Sequence, residues 1–173
     1  MGCDIHLHCE YKDDDGWHNC DNHVWNDKTK SYEFEDLYWG RNYDLFGILA
    51  GVRSNQFTTI DTPRGLPDNI SAKTKEFADG WRDCAHSYSY LTMRDLLRWK
   101  KRQTRRWKKL KKKHEIIKSH DWYGDYILDD EYPVYKEEHH MLDYLIELLK
   151  VKMDNYFYCF NSEDFRIIFW FDS

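Results

Sequence analysis

The sequence predicts an α+β domain: one mainly antiparallel sheet that includes both terminal strands, with helices packed largely on one face. Three observations carry this. Residues 2–12 alternate in character, as a half-buried strand does. Residues 41–53 and 138–151 space their apolar side chains at helical intervals. The segment RIIFWFD (166–172) is branched and aromatic on both parities, which marks an interior strand. At 173 residues, with no Pro/Gly/Ser linker and no internal repeat, the chain is most simply a single domain, 1–173.

Taken in order, the first strand sets Cys3, Ile5, Leu7 and Cys9 on one parity and Asp4, His6, His8 and Glu10 on the other. Asp15-Gly16 predicts a turn, and 17–25 a returning strand. That hairpin would bring Cys9 opposite Cys20. The 5 cysteines are an odd number without framework spacing, so free thiols in a reducing compartment are expected, with a Cys9–Cys20 bridge or shared metal as the lesser reading. In RNYDLFGILAGVR (41–53), Leu45, Ile48, Leu49 and Val52 form a helical stripe, with Asn42 or Asp44 placed to cap it. TPRGLPDNIS (62–71) is turn chemistry, and Ser71 is placed to cap a short helix through about residue 78.

HSYSYLTMRDLLRW (86–99) reads as an extended lead-in, then a helix capped at Thr92 with Leu96 and Leu97 facing inward. It continues as a basic helical segment at about 94–118. Residues 121–135 read as irregular and aromatic. The stretch 138–151 predicts an amphipathic helix through Met141, Leu142, Leu145, Leu148 and Leu149. NYFYCF (155–160) and 166–172 read as strands joined by a polar turn at NSED, the last of them pairing with the first.

Charge is unevenly spread. Residues 98–118 hold 12 of the 26 basic residues against 1 of the 31 acidic ones, leaving 14 basic and 30 acidic elsewhere in a chain of net charge −5. Trp99 and Trp107 interleave the basic run, so one expectation is nucleic acid, with the backbone on the cations and bases on the rings. The other is a solvated helix whose basic side answers the acidic remainder, because Leu96, Trp107, Leu110 and Ile117 lie near one helical face. The first residues lack the basic flank and apolar run of a signal peptide. No apolar stretch approaches the roughly 20 residues of a membrane span, so a soluble cytoplasmic protein with no membrane partner is expected.

Several polar residues suit chemistry. Asp4, His6 and His8 share a strand face, and a carboxylate with imidazoles suits a divalent ion such as Zn or Mn. Arg41, Asn42 and Asp44 stand at a helix start, where free N–H groups favour an anion. Arg64 sits in the stiff PRGLP loop, and Asp83, His86, Ser87 and Ser89 lie just before a helix.

MGCDIH at the start, RNYDLFGILAGVR, PRGLP, HSYSYLT and the terminal RIIFWFDS together resemble a family of small proteins encoded by bacteriophages and bacteria, defined by these blocks rather than by an activity. The likeness covers about half of the chain, chiefly 1–10, 41–53, 63–67, 83–97 and 166–173. It implies Asp4, His6, Arg41, Asn42, Asp44, Arg64, His86, Ser87 and Asp172 as the matching polar positions. His8 and Cys9 stand where that family more usually has apolar or aromatic residues, which favours Asp4 and His6 as ligands over His8. If the protein is phage-encoded, its compartment is the host cytoplasm.

These residues suggest a metal-assisted hydrolase acting on a phosphorylated or nucleotide-like small molecule. Asp4, His6 and His86 would hold the divalent ion. Arg41, Asn42, Arg64 and Ser87 would bind the ligand, and Asp44, Asp172 or His86 would move the proton. The alternatives are a non-enzymatic phage protein that binds or sequesters a nucleotide-like ligand or host factor, and a nucleic-acid-binding protein acting through 98–118.

Overall fold

A computed structural model describes residues 2–35, 37–38, 41–54, 57–120, 142–156 and 161–172. Strands β1 (Ile5–Asp13), β2 (Gly16–Asn19), β5 (Ala85–Thr92) and β6 (Phe165–Asp172) form one antiparallel sheet in the order β2-β1-β6-β5. Strands β3 (Asn22–Asn26) and β4 (Ser31–Glu35) form a separate two-stranded ribbon. Helices α1 (Tyr43–Ala50), α2 (Ala72–Gly80), α3 (Met93–His120) and α4 (Asp143–Tyr156) complete the described elements. The terminal strands are neighbours, running in register from Ile5 opposite Phe171 to Tyr11 opposite Phe165. β6 is therefore interior, as its composition predicts.

Pairing sets the two faces. Phe165, Ile167, Phe169 and Phe171 of β6 meet Ile5, Leu7 and Cys9 of β1 in the larger core, beneath α1, α3 and α4. Ile168 and Trp170 point the other way, into a smaller core closed by Ala78 and Phe77 of α2, by Trp81 and by the loop residues Leu66 and Ile70. Three of the four described helices thus share one face. Among the described residues no helix is long and apolar enough to cross a membrane.

Local chemistry sets the helix ends. Asn42 Oδ1 accepts the Leu45 N–H at 3.0 Å to start α1, and Gly51 ends it in the left-handed region at φ 69°. Gly47 inside α1 allows close approach, since a Cβ there would lie 2.5 Å from the Ser54 carbonyl oxygen. Ser71 Oγ accepts the Thr74 N–H at α2. Thr92 Oγ1 accepts the Asp95 N–H at 3.2 Å while Asp95 Oδ2 accepts the Thr92 N–H at 3.1 Å, a reciprocal cap on α3.

Three expectations need revision. The returning strand at 17–25 is two strands in two sheets. Asp21 turns inward at the break: its Oδ1 accepts the Cys9 N–H at 2.7 Å and its Oδ2 lies 2.8 Å from His8 Nδ1, so a side chain replaces the next ladder bond. Strand β4 went unforeseen because its residues are mostly exposed and polar. Asn155 and Tyr156 belong to helix α4 rather than to a strand. Residues 157–160, the aromatic stretch 121–135 and the start of the 138–151 helix lie outside the described residues. Cys3, Cys9, Cys20 and Cys84 are free, with Cys9 and Cys20 opposite one another as the turn predicts; the Cys20 N–H donates to the Cys9 carbonyl at 2.9 Å.

The smaller face also buries charge. Glu10 is 0% exposed and Arg166 3%; Arg166 Nε and Nη2 donate to Glu10 Oε2 at 2.9 and 2.7 Å, and Glu10 Oε1 accepts the Ser71 N–H at 3.0 Å. Arg166 also donates to Asn69, and its guanidinium lies 3.7 Å from the Trp17 ring centroid. Removing one partner of a buried pair strands the other charge without a counter-ion. Glu10→Ala should cost about 3–5 kcal/mol of stability, read as a lowered urea midpoint; a loss below about 1 kcal/mol would contradict this account.

Candidate functional site

Four of the polar residues singled out by sequence meet at one end of the main sheet. Asp4 precedes β1, Asp172 ends β6, and their backbones pair: the Asp172 N–H donates to the Asp4 carbonyl at 3.1 Å. Asp172 Oδ1 accepts the Asp4 N–H at 2.9 Å, and Asp172 Oδ2 lies 3.3 Å from His6 Nε2. Arg41, just ahead of α1, grips the Asp4 carboxylate at both oxygens, at 2.5 and 2.7 Å. The Trp81 ring lies over His6 with centroids 4.0 Å apart. The His6 and Asp172 side chains are 21% and 25% exposed, against 57% and 45% for Arg41 and Asp4, so the imidazole–carboxylate pair sits behind an outer ion pair. The Arg41 hydrogen bonds hold the Asp4 carboxyl below its usual range.

The other candidates stand elsewhere. His86 lies across β5 from Phe171, whose ring packs on Phe46 in the larger core, whereas His6 lies across β1 from Trp170 in the smaller one. The two imidazoles are therefore on opposite sheet faces, two strand spacings (roughly 10 Å) apart along the hydrogen-bonding direction. Asp4, His6 and His86 are not brought together, and no group of three or more His, Cys, Asp or Glu among the described residues is placed to hold a metal ion. His86 Nδ1 instead lies 2.9 Å from Ser87 Oγ, beside a β-bulge where Ser87 has φ 54°.

Asn42 is occupied as a cap, and Asp44 accepts the Ser54 hydroxyl at 3.1 Å. Arg64 is tied to Asp61 at 2.9 Å, to Asp95 at 3.0 Å and to the Tyr90 carbonyl at 3.3 Å, so it straps the PRGLP loop to β5 and α3. His8 is a core residue, stacked among Phe34, Phe77 and Trp170. Trp81, the cover over His6, carries no local sequence signal for that role.

The second feature is helix α3, 28 residues or about 42 Å long. Arg98, Lys101, Arg102, Arg105, Lys108, Lys109 and Lys112 are all exposed. At 100° per residue they fall within an arc of about 120° that spans about 21 Å of the helix axis. None of these seven makes an ion pair with a described residue. Arg94, one turn before Arg98 on the same side of the helix, pairs with Glu163, and Lys100, outside the arc, pairs with Asp143. The opposite side of the helix carries Leu96, Trp99 and Gln103, all buried. A shallow recess of about 370 Å³ flanks the arc, lined by Lys101, Thr104, Arg105 and Lys108 among others.

No protein-family model, curated protein or solved structure matches the chain.

The Asp4–Arg41 pair generates a pH prediction. Because the folded carboxyl titrates below its ordinary value of 3.8, the pair's stabilisation is complete above that value and is lost as pH falls through the lowered folded one. Arg41→Gln should move the Asp4 titration back up toward 3.8, read by carboxyl-carbon NMR. An unmoved titration would mean that Arg41 does not hold Asp4 in solution.

Proposed function

We propose that the protein binds nucleic acid electrostatically through the cationic face of α3. The observation that carries this is the arc of seven exposed Lys and Arg side chains without an ion-pair partner among the described residues. A helix whose basic side answered its own protein's acids would spend those cations on carboxylates. Here Asp4 is engaged by Arg41, Asp61 and Asp95 by Arg64, and Asp79 by Lys75 and Arg82. A row of like charges on one face is self-repulsive. It is relieved by a polyanion whose condensed counter-ions are released on binding. The recess beside Lys101 and Lys108 adds a hydroxyl from Thr104 to the cations available to a phosphate.

Binding should weaken steeply with salt, with a log–log slope near −6 if all seven cations meet duplex phosphates. Arg105→Glu/Lys109→Glu should lower affinity at least about tenfold and flatten the slope by about 2, measured by fluorescence anisotropy at several salt concentrations. Lys73→Glu, on α2 and away from the arc, should leave both unchanged. Retention that ignores salt, or that survives the double reversal, would sink the reading.

The sheet-end cluster supports a second reading, hydrolysis of a phosphorylated or nucleotide-like small molecule with His6 as proton acceptor. The 3.3 Å approach of His6 to Asp172 favours it, because a carboxylate at one ring nitrogen fixes the orientation of the imidazole and leaves the other nitrogen to face a ligand. Arg41 would then turn from Asp4 toward the ligand phosphate. Cleavage of a nucleotide panel that disappears in both His6→Ala and Asp172→Asn would support this role. Recovery of intact ligand throughout would reduce the cluster to binding or structure.

A further inference from the structure

We propose that the α3 arc is built for a B-form DNA duplex, with the helix lying along the major groove and its cations reaching phosphates of both strands. This rests on the nucleic-acid reading above and names its partner.

The arrangement of the arc carries the argument. With Arg105 as the midline, Lys101, Lys108 and Lys112 lean to one side and Arg98, Arg102 and Lys109 to the other, each within about 60° of it. These are two rows of three long side chains diverging from one helix. A helix with side chains is about 10–12 Å across, and the B-DNA major groove is about 12 Å wide. Rows that diverge from a helix in that groove meet its two phosphate walls, one strand each. The axial reach of about 21 Å corresponds to about six base pairs.

Single strands are gripped differently. Proteins that hold them supply rings on which successive bases stack. Neither tryptophan of the basic segment is on the arc. Trp99 is 1% exposed and its indole N–H donates to the Thr58 carbonyl at 3.0 Å. Trp107 is half-buried on the far side of the helix, with the Lys111 ammonium 5.4 Å from its ring centroid. The stacking expected from the interleaved Trp residues therefore has no platform on the cationic face. An RNA duplex presents a deep, narrow major groove that side chains do not enter, so it offers the two rows no comparable seat.

The test is fluorescence anisotropy of the full chain with three labelled probes of one sequence, about 20 nucleotides long: DNA duplex, RNA duplex and one DNA strand, at about 50 mM salt. The DNA duplex should bind at least about tenfold tighter than either of the others. Arg98→Gln/Arg102→Gln and Lys101→Gln/Lys108→Gln, each thinning one row, should both bring the duplex down to the single-strand level. Circular dichroism of these exposed-site variants confirms that the fold is kept. A single strand or RNA duplex that binds as tightly as the DNA duplex overturns the groove inference and leaves the nucleic-acid reading standing. Loss of duplex preference from one row only overturns the two-wall geometry. No retention of any probe overturns both.

Discussion

The pairing of β1 with β6 is the constraint on which the rest of the molecule depends. It joins the two ends of the chain, places β6 between β1 and β5, and assigns every side chain of these strands to one of two cores. Because strand side chains alternate with period two, a slip of one residue would send Phe169 and Phe171 out of the larger core and drive Arg166 and Asp172 into it. The register holds because both faces object to such a slip. The larger face loses aromatic burial, and the smaller face loses the Glu10–Arg166 pair across the same two strands. Burial pulls the Arg166 guanidinium below its ordinary value, while its hydrogen bonds to Glu10 oppose that.

The same pairing makes the sheet-end cluster. Asp4 and Asp172 are 168 positions apart in sequence, yet their backbone and side-chain bonds continue the β1–β6 ladder by one step. His6 joins because it shares the Trp170 side of that ladder, and Trp81 closes over it from the end of α2. His86 is kept apart by the same logic: β5 pairs with the other edge of β6 and places it opposite Phe171.

The parts of this fold that were legible in the sequence are those decided within a few residues. Ser71 and Thr92 cap helices because a short oxygen-bearing side chain before an apolar stripe finds a free N–H three positions on. Alternation along 2–12 predicted the faces of Asp4 and His6, and RIIFWFD predicted an interior strand. Asp21 was not legible, because its worth lies in the Cys9 amide and the His8 ring, reached only once the hairpin has formed. PRGLP reads in sequence as a stiff loop that presents the Arg64 guanidinium to an anion. What Arg64 holds, Asp61 and Asp95, depends on how α3 docks. His86 escaped because the face of a residue beside a bulge cannot be counted from its neighbours.

The basic helix shows how packing turns composition into a surface. The sequence places 11 cations in the 16 positions from 98 to 113, which by itself describes a charged rod. Docking selects among them. Leu96 and Trp99 enter the core, the Trp99 indole is fixed to Thr58, and Lys100 is drawn aside to Asp143. What remains outward includes the arc of seven, with Arg106, Lys111 and Lys113 exposed to either side of it. With a net charge of −5 for the whole chain, attraction to a polyanion at long range is weak, and binding must be won at short range by that arc. Charge segregated in this way favours one orientation of approach, since the chain outside residues 98–118 holds 30 acidic against 14 basic residues.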